Sequence, residues 1–184
     1  MSSIYLDSKT VFRLIDIAML TGETDFQSLN RSLNYFVRTG KLGNPRKGIY
    51  TKPSFSPEEM ANTIYTPSYV SLQYVLQREG VIFQYDSGIT SISYLSRTIN
   101  VGNKQLSYRK IKETILVNTT GLLQKEGIIN IASPERAFLD LLYLESRFYF
   151  DNINVLDKSL VFNILPIYES KALTRRVEKL MKND

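Results

Sequence analysis

Cysteine and histidine are both absent from this sequence, and so is tryptophan. Without cysteine there are no disulfides, no thiolate metal sites and no thiol nucleophiles. Without histidine, His-based triads, histidine general bases and most zinc chemistry are excluded. No apolar run approaches the roughly 18 consecutive residues that a membrane span needs. The opening Met1-Ser2-Ser3-Ile4-Tyr5-Leu6-Asp7 has no basic segment leading into a long apolar stretch, so a secretory signal is not expected. The nine glycines are scattered and make no phosphate-cradling loop. Internal repeats and low-complexity stretches are missing as well. The expectation is a cytoplasmic protein that uses neither a cofactor nor a metal ion.

What is present is ordinary in amount and uneven in placement. An apolar fraction of 43% and a charged fraction of 22% suit a globular chain, and 184 residues suffice for a small module beside a medium one. The net charge of +5 is concentrated near the start. Residues 1–53 hold eight Lys/Arg against four acids, whereas the remaining 131 hold fifteen against fourteen. A basic module on a near-neutral body is the footprint expected where one part meets a polyanion. Charge alone leaves a solubility role equally open.

The clearest boundary is Lys52-Pro53-Ser54-Phe55-Ser56-Pro57, where two prolines and two serines interrupt the periodic segments. Before it the pattern predicts an extended piece at Thr10–Arg13 and helices at Asp16–Thr21 and Asp25–Thr39, stopped by Gly22 and Gly40. A hairpin follows over Leu42–Thr51. After the boundary it predicts helices at Pro57–Asn62, capped by Ser56, and at Tyr69–Glu79, stopped by Gly80. Strands are expected at Ile89–Tyr94, Ser96–Val101, Gln105–Tyr108, Thr114–Asn118 and Gly127–Ile131, with a turn at Gly102-Asn103. Ser133-Pro134-Glu135 starts a well-signalled helix. Helices near Lys158–Leu165 and Glu169–Lys182 end the chain. The predicted class is α+β: a winged helix-turn-helix over residues 1–53, then a mixed α/β domain over residues 54–184.

The segment Asp25–Thr39 has two faces. Phe26, Leu29, Leu33, Phe36 and Val37 recur at helical spacing as an apolar stripe. Gln27, Arg31, Asn34 and Arg38, with Ser28 beside them, fall on the opposite side. These are the side chains that read base edges and phosphates in a major groove. A turn of only Gly22-Glu23-Thr24 separates this helix from the preceding one, as in a helix-turn-helix. Asn44-Pro45-Arg46-Lys47-Gly48 gives the hairpin a basic tip, where Arg46 and Lys47 can reach phosphates or a minor groove.

The chain resembles a known family at three places. The run Gly40-Lys41-Leu42 followed by Arg46-Lys47-Gly48-Ile49-Tyr50 is similar to the wing of AbiEi-type antitoxins of type IV toxin–antitoxin systems. Pro67-Ser68-Tyr69-Val70-Ser71-Leu72-Gln73 leading to Glu79-Gly80-Val81-Ile82 resembles that family's first C-terminal helix. Ile131-Ala132-Ser133-Pro134-Glu135-Arg136-Ala137-Phe138-Leu139-Asp140 resembles its later Ala-Ser/Thr-Pro-Glu-x-Ala-x-x-Asp helix. Together these span most of residues 12–145. The resemblance implies a transcriptional autorepressor that binds inverted repeats in its own promoter and counteracts a nucleotidyltransferase-like toxin. Monomers binding cooperatively on DNA are compatible with that picture. Two features depart from the family: a short, irregular lead-in before Thr10, and Gly43-Asn44-Pro45 within the wing.

Other signals are weaker. Ser133-Pro134-Glu135 with Asp140 is explained by helix capping and a loop anchor before any catalytic pair. Asp151, Asp157 and Lys158 lack the acid-x-Lys step of a two-carboxylate metal site. Arg109, Lys110 and Lys112, with Arg175, Lys179 and Lys182 on one face of the last helix, form a candidate partner surface; a solvated helix end competes with that reading. A winged-helix regulator with a ligand- or partner-sensing second domain stays open beside the antitoxin. An enzyme carrying a basic targeting arm is disfavoured by the missing His, Cys and paired carboxylates.

Overall fold

The computed structural model describes residues 2–84, 87–126 and 128–182, the side chain of residue 182 excepted. The fold is mixed α+β. The chain opens with α1 (Ser2–Leu6), β1 (Val11–Arg13), α2 (Leu14–Thr21) and α3 (Phe26–Arg38), then β2 (Gly43–Arg46) and β3 (Ile49–Thr51). The three strands form an antiparallel sheet of order β1-β3-β2. The lead-in is thus short but helical, and its Ile4 is buried. Asp25 caps α3 by accepting from the Gln27 N–H at 2.9 Å. Gly22, at φ +68°, ends α2 in a left-handed turn that a Cβ would strain.

The hairpin tip is tighter than the sequence suggests. β2 runs through Arg46, so the turn reduces to Lys47-Gly48, with Gly48 at φ +77°. The register slips between Gly43 and Arg46, and the Asn44 amide donates to the Arg46 and Ile49 carbonyls at 3.2 and 2.9 Å. A Cβ on Gly43 would stand 2.5 Å from Thr51 Oγ1, so the close approach of β2 to β3 requires glycine there.

The larger part continues with α4 (Pro57–Ile64), β4 (Ser68–Val70), α5 (Gln73–Arg78), β5 (Ile89–Ser93), β6 (Arg97–Val101) and β7 (Lys104–Lys110). It ends with α6 (Glu113–Leu116), β8 (Leu122–Lys125), β9 (Ile129–Ala132), α7 (Pro134–Leu144), α8 (Lys158–Ile164) and α9 (Lys171–Lys182). Its sheet has the order β6-β7-β5-β4-β9-β8; β5 pairs parallel to β7, β4 parallel to β9, and the other neighbours are antiparallel. β5 is buried at every position, as a central strand covered on both faces must be. The Ser56 and Ser133 caps form as expected, accepting from Glu59 N–H and Arg136 N–H, each at 3.2 Å.

Three elements depart from the sequence pattern. Tyr69 begins no helix: Ser68–Val70 pairs between β5 and β9, Leu72 turns the backbone at φ +62°, and α5 starts only at Gln73. Thr114–Asn118 makes α6 rather than a strand, because its end carbonyls are claimed by a buried arginine described below. Leu122–Lys125 is an edge strand that the pattern did not signal. Of the expected strand Gly127–Ile131, Gly127 lies outside the described residues, and β9 begins at Ile129.

Two apolar clusters meet at the small sheet. Ile4, Phe12, Ile17, Ala18, Leu29, Leu33, Leu42 and Tyr50 are the buried members of the smaller one. Phe12 pairs with Tyr50, and both turn to that side. The alternation of the strand sends Val11 and Ile49 to the other face, where they belong to the larger cluster with Met60 and Ala61 of α4. Polar contacts follow the same seam. The buried Glu59 carboxylate accepts from Thr10 N–H, Val11 N–H and the Thr10 hydroxyl, at 2.5 to 3.2 Å. Arg13 donates to the Thr63 carbonyl through Nε (3.0 Å) and Nη2 (2.7 Å), and also to Thr66 Oγ1. Lys52 reaches back to the Asp7 carbonyl at 2.6 Å.

Candidate nucleic-acid interface

Leu29 and Leu33 anchor α3 on the small core, which fixes the helix's rotation and turns its other side to solvent. Gln27, Arg31, Asn34 and Arg38 are all exposed there, while Ser28 is half-buried at the margin. A helical repeat of 3.6 residues stacks these four along one ridge about 16 Å long. Arg31 and Arg38 put two cations on the ridge, and Gln27 and Asn34 put two amides between and beside them. The structure therefore brings these predicted residues together on one helix.

Two side chains on the flanks were not expected. Tyr35 is 51% exposed and packs its edge against Phe36, leaving its phenol beside Arg31 and Arg38 at helical spacing. Its one-position offset from Asn34 was the available signal, and counting it as a core aromatic would hide it. Lys41, just after the helix, is exposed with its ammonium over the Phe36 ring at 5.5 Å. Phe26, expected in the apolar stripe, is 44% exposed instead; as the first residue of α3 it lies beyond the reach of the core.

At the hairpin, Lys47 sits on the exposed turn, but Arg46 leans over the Tyr65 ring at 5.9 Å, against the larger part. The hairpin's two cations thus sit in different settings, Lys47 exposed on the turn and Arg46 beside an aromatic ring.

The candidate partner surface is less uniform. Arg109 pairs with Glu145 at 2.7 Å and Lys112 with Glu169 at 2.8 Å, so each cation is partly offset. Lys110, Arg175 and Lys179 are exposed, and the Lys182 side chain lies outside the described residues. The Lys112–Glu169 pair ties the start of α6 to the turn before α9.

The carboxylates weighed as catalytic are engaged structurally. Glu135 is buried and accepts from Asp157 N–H, Asp157 caps α8, and Asp151 accepts from Phe83 N–H. Asp140 does more than anchor a loop. It and Arg136 are both 0% exposed and 3.3 Å apart. Ser71, Tyr69 and Tyr168 hydroxyls donate to Asp140 at 2.8, 3.1 and 2.7 Å. Arg136 spends its remaining donors on Tyr69 Oη and on the Ile115, Asn118 and Thr120 carbonyls. Burial lifts the Asp140 carboxyl above the usual aspartate range, against the opposite pull of Arg136 and the three hydroxyls. Burial also pushes the Tyr69 and Tyr168 phenols well up, so both stay protonated as donors. Every charge in this network is partnered, which makes it a fastener of α6 and α7.

Comparison with protein-family models and with curated proteins finds no match for the chain. Among the described residues, no helix is long and apolar enough to cross a membrane, and no cluster of three or more His, Cys, Asp or Glu could hold a metal ion.

Proposed function

We propose that the chain is a DNA-binding transcriptional regulator that reads duplex DNA with α3, its β2–β3 hairpin serving as the wing of a winged helix-turn-helix. The observation that carries this reading is the exposed ridge of Gln27, Arg31, Asn34 and Arg38 on a helix whose opposite side is locked into a core. The order α1-β1-α2-α3-β2-β3, the four-residue connection between α2 and α3, and Lys47 on the hairpin turn support it. Arg and Asn or Gln are the residues that make bidentate contacts to guanine and adenine.

The resemblance to AbiEi-type antitoxins extends the proposal: the regulator represses its own promoter through inverted repeats, and the larger part counteracts a nucleotidyltransferase-type toxin. Fluorescence anisotropy of the full chain on its own upstream DNA, across a salt series, tests the first half. Affinity should fall steeply as salt rises, because Lys/Arg contacts release condensed counterions. A flat profile, or no binding at low salt, would sink it. Growth rescue on co-expression with a nucleotidyltransferase-type toxin encoded beside it tests the second half, and failure there leaves a regulator of another kind.

A further inference from the structure

The charge of the larger part is near balance overall but not along its sheet. Residues 87–112 hold five Lys/Arg and no acid. They include β6, an outer strand of the six-stranded sheet, and its neighbour β7. Arg109 is offset by Glu145, and Lys112 by Glu169. Arg97, Lys104 and Lys110 are exposed, and among the described residues none of them makes an ion pair. The register puts these three on one face. Arg97 pairs with Tyr108 and Val101 with Lys104, so Arg97, Lys104 and Lys110 alternate onto the side of Tyr108, and Arg109 onto the other.

The same register defines the free edge of β6. Gly102-Asn103 is a two-residue turn, so Val101 and Lys104 form a hydrogen-bonded pair, followed by Ile99 with Leu106 and Arg97 with Tyr108. Ser96 agrees, since its hydroxyl takes the Lys110 N–H at 3.0 Å on the β6 side of β7. The N–H and C=O groups of Thr98 and Asn100 therefore point away from the sheet. Sheet edges are commonly blunted by a proline or a bulge, and β6 has neither. Two copies joined along β6 would gather like charges with no acid between them, so its cations oppose self-pairing. A phosphate backbone meets the cations but offers only acceptors, which leaves the two carbonyls unused. An extended peptide uses donors and acceptors alike, and acids on alternate residues would lie on the face of Arg97 and Lys104. We infer that β6 is a docking edge for an extended acidic segment of a partner protein, which joins the sheet as a further strand. The site is separate from the α3 ridge and does not depend on DNA binding.

The test uses the full chain at low salt, with its backbone amides followed by NMR. Three short peptides are titrated separately: one alternating Glu and Thr, one alternating Lys and Thr, and the Glu–Thr peptide with N-methylated backbone amides. The expected result is a saturable shift of the Thr98 and Asn100 amides with the first peptide, with slower hydrogen exchange at both, and neither effect with the other two. Arg97→Ala with Lys104→Ala, at exposed positions, should weaken binding at least about fivefold. Thr98→Pro removes one outward N–H while sparing the ladder to β7, and should weaken it about tenfold. The alanine variant decides the matter if the proline variant does not fold. A random-sequence DNA duplex is the fourth probe. Saturable binding of the duplex at β6, with none of the Glu–Thr peptide, would make the strip a phosphate contact and overturn the proposal. Peptide shifts that never saturate, that N-methylation leaves intact, or that survive the alanine variant unchanged would overturn it too.

Discussion

The two apolar clusters are stabilised in different ways. Among the described residues, the smaller has eight buried members, all aliphatic or aromatic, and no ion pair. The larger surrounds a fully buried Arg136–Asp140 pair whose hydrogen bonds reach β4, α6 and the turn before α9. A core as small as the first gains little from burial alone and needs outside support. It finds that support in the sheet it shares: Val11, Ile49 and the Glu59 contacts belong to both parts at once. The larger core instead concentrates its specificity in one polar network, where a single loss strands several buried groups. The comparison teaches that the boundary at Lys52–Pro57 separates sequence patterns more sharply than it separates packing.

The strongest way to break this comparison is Arg136→Leu. It leaves Asp140 without its cation and takes the arginine donor from the Asn118 and Thr120 carbonyls, and should cost about 3–5 kcal/mol. Because the small sheet packs on the same core, thermal unfolding should shift down as one transition by circular dichroism. Two separate transitions would show the small part standing by itself. Next comes Glu59→Gln, which keeps the shape but gives up a charged acceptor for the β1 N–H groups. It should cost about 1–3 kcal/mol in a denaturant titration. Hydrogen exchange at Thr10 and Val11 should speed up while the amides of β5 stay protected.

Arg31→Ala with Asn34→Ala asks whether the ridge is held apart from the cores. Both side chains are exposed, so the melting temperature should hold, while affinity for the cognate duplex falls by about 1–3 kcal/mol per lost base contact and random DNA is spared. Lys47→Ala should weaken all sequences alike and flatten the salt slope. Loss of both kinds of binding in the helix variant would remove the groove assignment. The smallest effect is expected from Lys112→Ala. Lys112 and Glu169 are exposed; the Glu169 carboxyl is lowered by the hydrogen bond and charge of Lys112, and the ammonium is raised in return. For a lowered carboxyl the stabilisation is present above the ordinary glutamate range and fades as pH falls through the lowered value. Solvent screens such a pair, so the variant's melting temperature should match the parent's at pH 7 and in acid.

The sequence made some of this legible and hid the rest for physical reasons. Helix caps and stops are local, so Ser56, Gly22 and Ser133 marked their elements correctly. The ridge of α3 followed from its period, since Leu29 and Leu33 needed only an apolar neighbour to bury them. Tyr69–Leu72 was misread because a short apolar run suits a helix or a central strand equally, and pairing with β5 and β9 decides between them. Thr114–Asn118 looked extended through its β-branched residues, yet Arg136 binds its carbonyls from twenty residues away. No period reveals a partner at that separation.

The sheet shared between the parts also fixes what the protein can span. Proteins that join a reading head to a body by a Gly/Ser linker gain reach, because the head explores a volume that grows with linker length. Here the connection from Thr51 to Pro57 is short, and Arg13, Glu59 and Lys52 clamp it on both sides. The small part therefore moves with the larger one. Under the proposed DNA-binding reading, two copies meeting on inverted repeats would face one another at a set phase of the double helix. Half-sites moved apart by half a turn would sit on opposite faces of the DNA, where no flexible tether exists to bring the second head around.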